Sequence, residues 1–264
     1  AVRFGNPVAL NHGNIVIDIL LELAPSLTII PVSASNATYN NAMQYLADRR
    51  DIAVVNMSRA LLGTTNDAAV DAIFAAILDQ ISGDKIVVKA LGNTGADLAG
   101  TLSPRRKSAG LGPVGDLTTY DSRLILSYMQ HLSAVSKAAP YLLFSESLST
   151  FGDFISLTAT IPGSSTAVQQ RTVAAAADGI FSWSSDNFES GSSFAAPQVT
   201  AITALLLEAC IRQRQTESAK CLDPVWTATK SSAQRPQGVG GDSTLSAEEV
   251  GLGRVDGDRA LGRL

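Results

Sequence analysis

The stretch Asn66–Leu91, NDAAVDAIFAAILDQISGDKIVVKAL, decides the fold class. Val70, Ile73, Phe74, Ile77, Leu78 and Ile81 recur at the spacing of an amphipathic helix, and Gly83 ends it. Lys85–Leu91 then reads as a buried strand of the β-branched type. The alternation continues on the N-terminal side. Asn14–Leu23 reads as a dense apolar helix stopped by Pro25, Leu27–Val32 as a buried strand, Thr38–Ala47 as a helix and Ile52–Met57 as a strand. Helices alternating with buried strands predict a mostly parallel central sheet covered on both faces, a doubly wound α/β fold. On the C-terminal side, Leu124–Met129, Tyr141–Phe144 and Phe154–Thr160 read as further strands, and Gly191–Arg212 as a loop leading into a long apolar helix. Arg214–Thr244 is polar and turn-rich around one short helix, Pro224–Ser232. Gly92–Asp121 reads as a long loop whose Arg105-Arg106-Lys107 forms a solvated tip. With no repeat and no linker, residues 1–264 read as a single domain.

Composition excludes several classes. The chain is 45% hydrophobic and only 17% charged, with a formal net charge of -4, so it is built to bury a large core. A sequence pI near 5.2 is far from the basic footprint of a nucleic-acid binder. No uninterrupted apolar run has the length of a membrane span. Cys210 and Cys221 are 11 positions apart, which allows a short-loop disulfide and with it a secreted or extracytoplasmic setting. A buried thiol and an unrelated surface thiol fit equally well. The two histidines, His12 and His131, lie near no cysteine pair, so no metal site and no cofactor is expected.

Three segments carry chemistry. In Gly191-Ser192-Ser193-Phe194-Ala195-Ala196-Pro197, the proline fits the first turn of a helix and puts its start near Ser193. A serine at a helix N-terminus has free backbone N–H groups and a favourable dipole around it, as a nucleophile needs. An ordinary capping serine has the same local pattern. Asn11-His12-Gly13 stands just before the first helix and offers a general base, whereas His131, without glycines around it, reads as structural. Leu91-Gly92-Asn93-Thr94-Gly95 follows a buried strand, so the Asn93 amide can point into the cleft as an oxyanion donor.

Taken in order, these segments resemble the subtilisin-like serine proteases, the subtilases. Gly191–Val199 is similar to the family's Gly-Thr-Ser-Met-Ala-Ala-Pro-His-Val with Ser193 at the nucleophile, and Asn11-His12-Gly13 to the segment around its histidine. Val88–Gly95 resembles Val-Ala-Ala-Ala-Gly-Asn-x-Gly, and Val54-Val55-Asn56-Met57-Ser58 resembles Val-Ile-Asn-Met-Ser. Gly251-Leu252-Gly253-Arg254-Val255-Asp256 resembles the C-terminal Gly-x-Gly-x-Val-Asp, followed by a closing helix. The resemblance implies a serine endopeptidase with catalytic His12, Ser193 and Asn93. It implies a peptide or protein substrate paired with Ser58, Arg59 and Ala60 on one side and Leu91, Gly92 and Asn93 on the other.

The departures are equally specific. The family carries its triad aspartate on a strand tens of residues before the histidine, and none of Ala1–Leu10 is acidic. Asp18 is well around the helix from His12, and Asp51 opens another strand. The expectation is a domain truncated or cleaved at its N-terminus, with an upstream segment or a second chain supplying the aspartate. The alternative is a catalytically impaired binding or scaffold module. A related acyl transfer, ligation or cyclisation, would use the same residues. The connection Leu21–Ser26 is too short for the family's calcium loop, so no calcium is expected there. Arg59 is expected to point to solvent.

Overall fold

The computed structural model describes residues 2–4, 10–34, 38–58, 68–112, 114, 120–134, 141–149, 154–182, 187–237 and 244–264. In chain order the elements are β1 (Val2–Phe4), α1 (Leu10–Leu23), β2 (Val32–Ala34), α2 (Tyr39–Asp48), β3 (Val54–Met57), α3 (Ala68–Asp84), β4 (Ile86–Ala90), α4 (Pro104–Ser108) and α5 (Tyr120–Ala134). There follow β5 (Leu142–Leu148), α6 (Thr166–Gln169), β6 (Thr172–Ala176), β7 (Ile180–Ser182), β8 (Asn187–Glu189), α7 (Ser192–Arg214), α8 (Ser218–Ser232), α9 (Ala247–Val250) and α10 (Gly257–Leu261).

The central sheet runs β3-β4-β5-β6, all parallel, with Val54 opposite Ile86, Val88 opposite Leu143 and Ser145 opposite Val173. β1 and β2 form a separate parallel pair, and β7 and β8 an antiparallel hairpin. Every residue of β4 and β5 is buried, as expected of strands covered on both faces. Alternate strand residues serve opposite cores. Ile86, Val88 and Leu143 pack with Ile15 and Ile19 of α1, Val199 and Leu206 of α7, and Val225 of α8. Val87, Leu142 and Phe144 pack with Met43 of α2, Leu78 and Ile81 of α3, and Leu124 and Tyr128 of α5. The chain is therefore a doubly wound α/β fold.

α7 is the central helix of the first core. Its mean hydropathy of 1.6 over an 18-residue window would suit a membrane span by length and composition. In this fold 61% of that window is buried, against the sheet, α1 and α8.

Several elements differ from the sequence reading. Leu124–Met129 is not a strand but part of α5. Leu124, Ile125, Tyr128, Met129 and Leu132 form one buried helical stripe, and a six-residue apolar window is too short to reveal that period. Phe154–Thr160 makes a single bridge, Ile155 with Leu148, in place of a strand. It bonds the end of β5 through the Ser149 N–H to Phe154 O and the Ser156 N–H to Ser147 O; beyond that Arg105 donates to Ile155 O, Arg106 Nη1 to Leu157 O at 2.9 Å and the Gly95 N–H to Thr158 O. The basic run is therefore no solvated tip as a whole. Arg106 is buried and Arg105 stacks 3.8 Å above the Phe154 ring, while Lys107 is exposed. Leu27–Pro31 is in no strand, the Leu27 N–H donating back to Ala24 O, and the strand begins at Val32. α8 starts at Ser218, ahead of Pro224, so Cys221 is helical and not in a loop. Cys210 and Cys221 are disulfide-bonded, joining α7 to α8.

Candidate active site

Asn93 lies just past the C-terminal end of β4, and the start of α7, which carries Ser193, is bonded to it. α7 begins at Ser192, with Gly191 as its N-cap at φ 144° and no side-chain capping bond. Ser193 is thus the second helical residue, half-buried, and not a capping serine. Pro197 is the sixth residue, one turn deeper than the first-turn position inferred from sequence. Lacking an N–H, it leaves the Ser193 carbonyl without its helical donor four residues on.

Ser192 and Asn93 knit this helix start to the loop after β4. The Ser192 N–H donates to Asn93 Oδ1 at 2.8 Å, and the Gly92 N–H donates to Ser192 Oγ at 3.0 Å. With its oxygen held, the Asn93 amide must turn its N–H₂ away from Ser192, and the residue is exposed. Gly191 makes room for it: a Cβ there would lie 2.8 Å from Asn93 Nδ2. Gly92 fits under Thr160 in the same way, since a Cβ would lie 2.7 Å from Thr160 Oγ1. The Thr94 N–H donates to Thr160 Oγ1 at 3.0 Å and fixes the far end of the loop. Ser193 Oγ is drawn into none of these bonds.

His12 lies in the first turn of α1, inside the helix and not just before it. Its half-buried ring packs on Phe194 with centroids 5.5 Å apart and planes tilted by 43°. Phe194 is the neighbour of Ser193, so the histidine is tied to the helix that carries the serine. The sequence matches the Subtilase family, Peptidase_S8, over residues 8–240.

The chain belongs to the subtilase family. It is a serine peptidase, and its fold is that of solved subtilisin-like proteases. The structure of the prenylagaramide maturation protease PagA matches with a TM-score of 0.65 and 16% identity, over 100% of this chain and 86% of that one. A lanthipeptide protease matches at 0.63 and 16%, over 99% and 80%. The self-cleaved protease domain of PatA matches at 0.56 and 15%, over 98% and 86%. No curated protein matches the sequence.

In this subtilase Ser58 and Leu91 are buried, Leu91 in the core beside α3 and α5, so these two can offer a substrate only their backbone. Arg59 and Ala60 lie outside the described residues, as does the side chain of His131. Three relationships escaped the sequence reading. One is the contact of Phe194 with His12. Another is a bracket at the end of β3: Thr200 Oγ1 of α7 donates to Asn56 Oδ1 at 3.1 Å, and Asn56 Nδ2 donates to Ser58 Oγ at 2.9 Å. The quoted Val-Val-Asn-Met-Ser motif held that signal. The third is Glu146 on β5, fully buried with neither carboxylate oxygen hydrogen-bonded. Burial, and then the charge of Glu249, push its pKa well above the ordinary value. A lone glutamate in a strand gives no such signal in sequence. Among the described residues no three His, Cys, Asp or Glu side chains converge as for a metal ion.

Proposed function

We propose that this subtilase cleaves peptide bonds with Ser193 as nucleophile, His12 as general base and acid, and Asn93 in the oxyanion hole. Ser193 Oγ attacks the scissile carbonyl carbon while His12 takes its proton, then passes that proton to the leaving amine. Water repeats the sequence on the acyl-enzyme and regenerates Ser193. The oxyanion is held by the Asn93 amide and the Ser193 N–H, one of the unsatisfied donors of the first helical turn. An extended peptide lies between Ser58–Ala60 and the Leu91–Asn93 loop, where the Leu91 and Gly92 N–H groups are already bonded within the chain.

The observation that carries this reading is the pair of bonds between Ser192 and the Gly92-Asn93 loop. They are made by the residue before Ser193, fix the Asn93 amide and leave the Ser193 hydroxyl for chemistry.

The orienting carboxylate comes, in this proposal, on an added extended strand from an upstream segment or a second chain. The split between β2 and β3 supports it. Leu27, Ile29, Ile30 and Val32 are only half-buried, and among the described residues β3 has a partner strand on one side alone. Apolar, unpaired edges inside a doubly wound fold are suited to receive a parallel strand.

Ser193→Ala tests the reading. The variant keeps the circular dichroism and melting temperature of the wild type and hydrolyses no peptide. Unchanged cleavage by Ser193→Ala would remove Ser193 from the mechanism.

A further inference from the structure

We infer that Thr200 is a positioning residue for peptide cleavage: through Asn56 it holds Ser58, at the start of the segment that flanks the substrate, in fixed relation to Ser193. The inference rests on the peptidase reading above and adds to it a residue that acts through another.

Ser193 and Thr200 are seven residues apart on α7. That is about two turns, so they share a face of the helix about 10 Å apart along its axis. α7 packs against β3. There Thr200 Oγ1 donates to Asn56 Oδ1 at 3.1 Å, and Asn56 Nδ2 donates to Ser58 Oγ at 2.9 Å. Thr200 and Ser58 are both buried. The helix that carries the nucleophile is thereby tied to the residue that follows β3.

A buried helical threonine does not need this bond. Thr203 on α7 and Thr229 on α8 are buried too, and each returns its hydroxyl to the carbonyl four residues back, Val199 O at 2.7 Å and Val225 O at 2.9 Å. Thr200 makes the same return to Ala196 O at 2.8 Å and still reaches Asn56. Asn56 in turn interrupts the apolar run of β3, in a parallel sheet whose strands are ordinarily apolar throughout. A hydrogen-bonded polar pair fixes direction and distance at the crossing of helix and strand, as apolar packing alone does not. The start of α7 has use for such a brace, because Pro197 gives the Ser193 carbonyl no helical donor. Ser192 anchors the helix to the loop after β4, and Gln198 Nε2 donates to Ala176 O at the end of β6. Thr200 adds an anchor to β3, and that anchor continues through Asn56 to Ser58.

The test sets a peptide against a probe that has no peptide to place. The peptide is a fluorogenic one built on a site that wild type cuts in a peptide library, and the probe is a small alkyl fluorophosphonate. Thr200→Val removes the hydroxyl and keeps the branched volume. Its kcat on the peptide falls by about three- to tenfold, the worth of one hydrogen bond, with KM unchanged. Its rate of labelling at Ser193 stays at the wild-type value, and Thr200→Ser, which keeps the hydroxyl, keeps the wild-type kcat. Asn56→Ala lowers kcat to a similar extent, and adding Thr200→Val to it costs nothing more, because the link is already open. An unchanged kcat in Thr200→Val, an equal loss in cleavage and labelling, a rise in KM at constant kcat, or fully additive losses would each overturn the inference. Wild type separates the two readings. Labelling and cleavage by wild type with Thr200→Val unaffected defeats only the role of Thr200. No adduct on Ser193 and no cleavage of the library defeats the peptidase reading and this inference with it.

Discussion

Gly191 and Asn93 touch so closely that a single added methyl group would fall 2.8 Å from the Asn93 amide nitrogen. The glycine also sits at φ 144°, where other residues are strained. Gly191→Ala is therefore expected to push Asn93 off the Ser192 N–H and destabilise the fold by about 1–3 kcal/mol. Thermal melting reads the second effect. The rate of Ser193 labelling by a fluorophosphonate reads the first, and falls further than the same rate in Asn93→Ala. Asn93→Ala itself should lower kcat by about 10²–10³, the loss found when a subtilisin is deprived of its oxyanion asparagine.

Phe194 packs its ring on His12, which in the proposed mechanism makes it a positioning residue. Phe194→Leu keeps most of the apolar volume and removes the ring. Steady-state kinetics should show kcat reduced by up to about tenfold with KM unchanged, the scale of one aromatic contact. A rise in KM at constant kcat would place Phe194 in substrate binding instead.

Glu146 gives the fold a pH dependence of definite sign. Its folded pKa is raised, so between the ordinary value of 4.5 and the raised one the folded chain holds a proton that the unfolded chain has lost. Its contribution to stability is therefore present below about pH 4.5 and declines as pH rises through that window. Glu146→Gln has no proton to lose. Its melting temperature should gain on wild type as pH rises above 4.5, with the two slopes alike below pH 4.5.

The disulfide joins helices that flank the first core, closing a loop of 11 residues. Loop-closure entropy assigns it about 2–3 kcal/mol. Replacing both Cys210 and Cys221 by serine should lower the melting temperature by roughly 5–10 °C in a chain of this size, measured by calorimetry. Both sulfurs are fully buried, so mild reductant applied to the folded protein should leave the bond intact.

Sequence revealed the fold class because β4 is a β-branched, largely apolar run, broken by Lys89, preceded by a helical stripe, and because the Ser193 segment is distinctive in residue types and order. It misread Leu124–Met129, where the helical stripe continues to Leu132 and a six-residue window cannot tell period 2 from period 3.6. It misread Phe154–Thr160 because Ile155 and Leu157 give their carbonyls to Arg105 and Arg106, 50 and 51 positions away, and Thr158 its carbonyl to the Gly95 N–H. It left Cys210 and Cys221 open because spacing cannot say whether α7 and α8 bring the sulfurs together. The candidate site was legible as three separate motifs. How Ser192 ties two of them, and Phe194 the third, depends on tertiary contacts that no local pattern encodes.

The most direct measurement is fluorophosphonate labelling followed by mass spectrometry of the adduct, on the 264-residue chain and on a version extended upstream. The account predicts a covalent adduct on Ser193, forming faster when the added strand brings a carboxylate to His12. Adduct on a different residue, or a folded protein that stays unlabelled in both forms, would contradict it.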